Sequence, residues 1–104
     1  MGKSEYAAEA RYRIAEIQFN QNKLPEAEKA SFEVINKAGS YDYWIAKAYI
    51  LLGDIYYKEQ DFLNADATLT SVVQNSTIPE LQTEAQQKLD AVTAEKDKNS
   101  KLQQ

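Results

Sequence analysis

The sequence matches itself, without a gap, when it is slid by 38 residues. Ala8, Ala10, Ile17, Ala27 and Val34 fall on the identical residues Ala46, Ala48, Ile55, Ala65 and Val72. Tyr6, Ile14, Ala15, Phe19, Leu24 and Ile35 fall on the similar Trp44, Leu52, Gly53, Tyr57, Phe62 and Val73. Self-similarity at this period, with apolar residues at helical spacing inside each unit, predicts stacked helical pairs. A single pair cannot bury its own apolar face, so neighbouring units must share a core.

Within each unit the helices can be placed. From residue 4 to about residue 21 the apolar side chains Ala7, Ala10, Ile14, Ile17 and Phe19, with Tyr6 and Tyr12, recur at helical rather than alternating intervals. Asn20, Gln21 and Asn22 then bring poor helix propensity and turn chemistry. Pro25 suits the first turn of a second helix, and Glu26 and Glu28 lie near its positive end. That helix carries Ala27, Ala30, Val34 and Ile35 inward and ends at Ala38-Gly39, a left-handed cap. Ser40 is the expected N-cap of a third helix and Asp61 of a fourth. Leu52, Tyr56 and Leu69 surround a predicted contact at the small residues Gly53 and Ala65, where two helix axes approach to about 8–10 Å.

A fifth helix opens at Pro79, with Thr77 as N-cap and Glu80 completing a capping box. Leu81, Ala85, Leu89 and Val92 make one narrow apolar stripe beside Gln82, Gln86, Gln87 and Lys88. One stripe suits a terminal helix that covers the last pair and turns a polar back to water, and it suits equally the start of a third unit. After Ala94 no apolar face remains, and residues 95–104 are expected to fray or be disordered. Asn75-Ser76-Thr77 matches a glycosylation acceptor, but its simpler role is to end one helix and begin the next.

The bulk properties narrow the function classes. A chain of 104 residues accommodates one core, and with 43% hydrophobic and 27% charged residues it is globular and not disordered as a whole. The most apolar run, residues 44–53, contains Lys47 and is half the length a membrane span needs. Residues 1–3 are not followed by the apolar run of a signal peptide, and read instead as the start of an excised segment. The net charge of −4 argues against a nucleic-acid surface. The acidity sits in the second unit, where Asp42, Asp54, Glu59, Asp61 and Asp66 face only Lys47 and Lys58. With no histidine and no cysteine, a catalytic triad, a thiol nucleophile and ordinary transition-metal sites are excluded. Carboxylate pairs such as Glu5 and Glu9 have the spacing of a solvated helix face. No enzyme, cofactor or metal is therefore expected.

Tyr49, Leu52-Gly53, Tyr56, Ala65 and Leu69 together resemble the tetratricopeptide repeat pattern, W-x2-L-G-x2-Y followed by A-x3-F and P. Tyr49 stands for the Trp and Leu69 for the Phe, while Thr77 holds the proline position and Pro79 follows two residues later. The first unit departs from the pattern at Gln18, in place of an aromatic, and at Ser31, with Phe32 one residue late. The 38-residue unit exceeds the usual length of about 34, and residues 41–44 supply the additional turn. The Ala-rich aromatic lead-in and the Tyr56-Tyr57 pair are similar to bacterial envelope members of the family. The resemblance implies an all-α helical-hairpin solenoid spanning residues 4–94. Its parts are repeat one at about 8–41, repeat two at about 46–79 and a capping helix at about 78–94.

In that family the first helix of each pair lines a concave groove. The matching positions are Tyr12, Glu16, Phe19 and Asn20, then Ile50, Asp54, Tyr57 and Lys58. The resemblance implies a scaffold module, part of a larger bacterial protein of the periplasm or cell envelope, that holds a peptide segment or partner helix. Glu16 and Asp54 have the wrong charge to clamp an acidic C-terminus, so an apolar and basic partner is expected. Phe19 and Tyr57 serve equally well as packing between repeats. A structural role is the alternative, in which repeats stack on neighbouring repeats or subunits and the chain self-associates through its C-terminal helix.

Overall fold

A computed structural model describes the backbone of residues 2–102 and the side chains of residues 5–98. It is all-helical, with five helices: α1 (Gly2–Asn20), α2 (Leu24–Lys37), α3 (Asp42–Lys58), α4 (Phe62–Asn75) and α5 (Pro79–Leu102). Among the described residues α3 alone touches all four other helices. Trp44, Ala48, Leu51, Leu52 and Ile55 join a core with Ala8, Tyr12 and Ala15 of α1 and Ala27 and Val34 of α2. Ala46 and Ile50 of the same helix join a second cluster with Ala65, Leu69 and Val72 of α4 and Leu81, Ala85 and Val92 of α5, so the single core expected from the chain length is divided by α3 into two, with Tyr49 and Tyr56 packed against both. A helix apolar on nearly every side can only lie between two layers, and its sequence is correspondingly continuous in apolar residues.

The turn within each pair is the same structure 38 residues apart. Asn22 and Gln60 both adopt the left-handed region, with φ of 63°. Lys23 and Asp61 follow with nearly identical torsions, φ −91° and ψ 72° against φ −90° and ψ 72°. The backbone bonds Gln21 N–H to Ile17 O, Asn22 N–H to Phe19 O and Lys23 N–H to Gln18 O reappear as Glu59 to Ile55, Gln60 to Tyr57 and Asp61 to Tyr56. The apolar anchors behind the turn repeat, and the turn repeats with them. Only Asp61 adds a side-chain cap, accepting from the Asn64 amide N–H at 3.3 Å and from Asn64 Nδ2 at 2.7 Å. Gly39, with φ of 64°, ends α2 as expected of a left-handed glycine.

Three helix ends differ from expectation. Tyr41, not Ser40, is the N-cap of α3, and its side chain makes no cap bond. At the α5 start the Ser76 hydroxyl, rather than Thr77, accepts from the Ile78 N–H at 3.1 Å. Gln82 then reaches back to donate to the Ser76 carbonyl at 2.6 Å, so an amide one turn into the helix replaces the Thr77–Glu80 box. The α5 helix also does not stop near Ala94 but runs on to Leu102, correcting the frayed segment for residues 95–102; Gln103 and Gln104 lie outside the described residues. Lys96, 3.0 Å from Asp66 of α4, ties this extension to the body, although it has no apolar stripe of its own.

Gly53 sets the spacing of α3 and α4. A Cβ there would lie 2.5 Å from Leu69 Cδ2 and 2.6 Å from its Cγ, so Leu69 rather than Ala65 fills the space above the glycine. One unit earlier the corresponding residues are Ala15 and Ser31, both fully buried, with the Ser31 hydroxyl donating to Ala27 O at 2.8 Å. Where the first helix gains a methyl group, the second loses a leucine. Gly53→Ala is expected to destabilise the protein by about 1–3 kcal/mol despite alanine's better helix propensity, because Leu69 has nowhere to go. Ser31→Leu should cost a similar amount, and adding Ala15→Gly should recover about 1–2 kcal/mol of it. A denaturant-melt cycle over the four proteins measures this, and strict additivity of the two changes would show that positions 15 and 31 do not meet.

Candidate functional site

The ends of α1 and α3, the start of α4 and the C-terminal half of α5 border an open cleft of about 610 Å³, lined by Phe19, Asp54, Tyr57, Lys58, Gln60, Phe62 and Glu95. Tyr57, 37% exposed, meets Phe62 edge-on with ring centroids 5.6 Å apart. On the other wall Lys58 Nζ stands 5.3 Å from the centre of the Phe19 ring, close enough for a cation–π contact. Three aromatic rings thus share one solvent-open recess, placed there because the paired turns bring residues 19, 57 and 62 to the same end of the bundle.

Four of the eight positions expected to line a groove are in this cleft: Phe19, Asp54, Tyr57 and Lys58. Asn20 is exposed beside it, and Glu16 is half-buried and bonded at 3.2 Å to Arg13. Tyr12 and Ile50 are not groove residues. Tyr12 is 5% exposed and packs on Trp44 with ring centroids 5.6 Å apart, under a roof formed by Arg13 and Lys47. Burial, and then the nearby Glu16, push its phenol well above the ordinary tyrosine range. Ile50 is 2% exposed because it belongs to the core that α3 shares with α4 and α5. Both corrections have one cause: apolar positions about two turns up from Phe19 and Tyr57 are covered by a neighbouring helix.

Gln60, Phe62 and Glu95 belong to the cleft without having been singled out from sequence. Phe62 could have been found, since it opens α4 directly after the Asp61 cap and so lies beside the end of α3. Glu95 depended on the length of α5.

The carboxylates that were expected to give the groove its charge are satisfied within the chain. Lys88 Nζ of α5 lies 2.6 Å from Asp54 Oδ2, and Glu84 lies between Lys47 at 3.8 Å and Lys88 at 4.0 Å. Charges alternate in sign from α3 to α5. The open face is therefore close to neutral. Among the described residues no cluster of acidic side chains could hold a metal ion, and no helix is long and apolar enough to cross a membrane.

Asp54 pays for its position. Burial raises its carboxyl above the usual range, and the hydrogen bond and charge of Lys88 recover only part of the loss. A folded-state pKa above the unfolded one means that the ionised carboxylate opposes folding, and stability from this group is gained as pH falls through the folded pKa. Asp54→Asn should therefore change stability by less than about 1 kcal/mol at pH 7. Any advantage of the variant should shrink as pH is lowered through and below the carboxylate range, where wild-type Asp54 is also neutral. Paired denaturant melts across that range test the sign, and a variant that loses several kcal/mol at pH 7 would mean the ion pair is a net stabiliser. The chain matches no known protein-family model, no curated protein and no solved structure.

Proposed function

We propose that this chain is a non-catalytic protein-interaction module of the tetratricopeptide type, two repeats closed by a capping helix, which holds an apolar peptide segment or partner helix in the cleft of Phe19, Tyr57 and Phe62. The observation that carries this reading is the aromatic cleft itself. Single large apolar side chains such as Tyr43 and Leu63 are exposed elsewhere, whereas here the rings of Phe19, Tyr57 and Phe62 come together in one open recess of about 610 Å³. Aromatic anchors in a concave site are what peptide recognition uses, since they supply large contact area at little conformational cost. The matched turns 38 residues apart support the repeat assignment. A bacterial envelope setting rests on the sequence resemblance alone.

The expected partner changes in one respect. Asp54 is engaged by Lys88 and Glu16 by Arg13, so they offer little to a basic ligand. Glu95 at the cleft edge, 3.9 Å from Lys98, is the remaining acidic group there. Apolar contact then supplies most of the affinity, with at most one basic residue placed near Glu95.

Peptides selected on an array against the monomer, and then titrated in solution, provide the test. Tyr57→Ala should weaken the selected peptide by about 2 kcal/mol, roughly thirtyfold. The melting temperature should stay close to wild type, because the ring is partly exposed. Glu95→Lys should mainly slow association of a basic peptide, with a loss that fades as salt rises. A Tyr57→Ala protein that binds its peptide normally would remove the cleft as the site.

A further inference from the structure

Helix α1 carries an apolar stripe that nothing among the described residues covers. Tyr6 is 73% exposed and Ile14 and Ile17 are each 53% exposed, with Ala10 exposed between them. At intervals of three and four residues these side chains lie on one face of the helix. Isolated exposed apolar residues need no explanation, but a contiguous stripe of this kind marks an interface.

The chain itself shows what such a stripe is built to meet. Moved on by 38 residues, the four positions become Trp44, Ala48, Leu52 and Ile55 of α3, which are 8%, 0%, 1% and 0% exposed. They are buried by the pair α1–α2, which contributes Tyr12, Ala15, Ala27 and Val34 to the same core. Because the turns and helix ends of the two pairs coincide at this offset, the stripe on α1 presents the register that α3 presents to α1–α2. We propose that the α1 face is a docking surface for a further helical pair of the same build as α1–α2, seated as α1–α2 is seated on α3.

A second whole copy of the chain does not meet this requirement. Its opposite end is closed by α5, whose apolar residues Leu81, Ala85 and Val92 are already buried against α3 and α4. The face that α5 turns outward carries Thr83, Gln87 and Asp90, all exposed, and would put polar groups against Ile14 and Ile17. For the same reason most of the apolar stripe of α5 is taken up inside the chain, Leu81, Ala85 and Val92 being buried, which speaks against the expected self-association through that helix.

The chain's own first unit can act as the probe. A second copy of residues 3–40, inserted in frame ahead of residue 3 of the full chain, places an α1–α2 pair where the stripe requires one. The double substitution Ile14→Glu/Ile17→Glu is then made on the original α1, in both the native and the extended chain. In the native chain, where both side chains are largely in water, the melting temperature should be nearly unchanged. In the extended chain the same change should lower it by roughly 10 °C, because two carboxylates now enter a buried interface. Hydrogen exchange of α1 should slow on extension and return to the native rate in the substituted form. Equal tolerance of the substitution in both chains would overturn the proposal. So would a native chain that sediments as a dimer and becomes a monomer on Ile14→Glu/Ile17→Glu, since the surface would then belong to a second copy.

Discussion

The absence of a side chain at Gly53 holds this architecture together. Helix α3 must be buried on two sides, by α1–α2 on one and by α4–α5 on the other, and on the second side Leu69 descends to within 2.6 Å of where a Cβ would stand. That closeness lets Leu69, 1% exposed, fill the space between the helices while Ala46 and Ile50 make room for α5. With α3 fixed in this way, the position of α5 follows, and with it the placing of Lys88 on Asp54 and of Glu95 beside the cleft. The cleft is thus a consequence of packing two layers away.

The 38-residue offset was legible in the sequence because it is written partly in small residues. Ala27 and Ala65, and Ala8 and Ala46, recur at one offset and all four are buried where helices approach; Ala10 and Ala48 recur too, but only Ala48 is buried. Asp61 was legible for a different reason: an aspartate after a turn and before an apolar run has one common use, and its side chain does accept from Asn64. The exchange of Gly53 and Leu69 for Ala15 and Ser31 was visible only as a departure from pattern. In three dimensions a methyl group is added on one helix where a leucine is lost from the other, and both Ala15 and Ser31 are buried.

What the sequence did not disclose depends on helices that lie far apart along the chain. Tyr12 and Ile50 occupy positions that look alike on a helical wheel to Phe19 and Tyr57, and only the placement of Trp44 over one and α5 over the other separates core from cleft. The length of α5 was hidden because residues 95–102 have no apolar periodicity. A helix can nonetheless be propagated beyond its last buried residue at little cost once nucleated, and a side-chain ion pair such as Lys96 with Asp66 holds it to its neighbour. Ser40 and Thr77 were good capping residues passed over, because Tyr41 starts α3 and Gln82 ties the start of α5 to α4.

The charges on the face shared by α3, α4 and α5 are paired across helices, although the second unit is acidic along the chain. Read along the chain, the second unit is acidic. Read across the helices, Asp54 meets Lys88, Asp66 meets Lys96, and Glu84 sits between Lys47 and Lys88. The basic partners come from α5, which lies outside the second unit, so a count of charge by unit misses them. A recess whose charges are largely paired exerts little long-range steering, so on the proposed reading only Glu95 could guide a basic ligand, and discrimination would come from the fit of side chains against Phe19, Tyr57 and Phe62. The uncovered face of α1 differs in kind, because its Ile14 and Ile17 are bounded by the register of a whole helix and select for a shape that already exists within the chain.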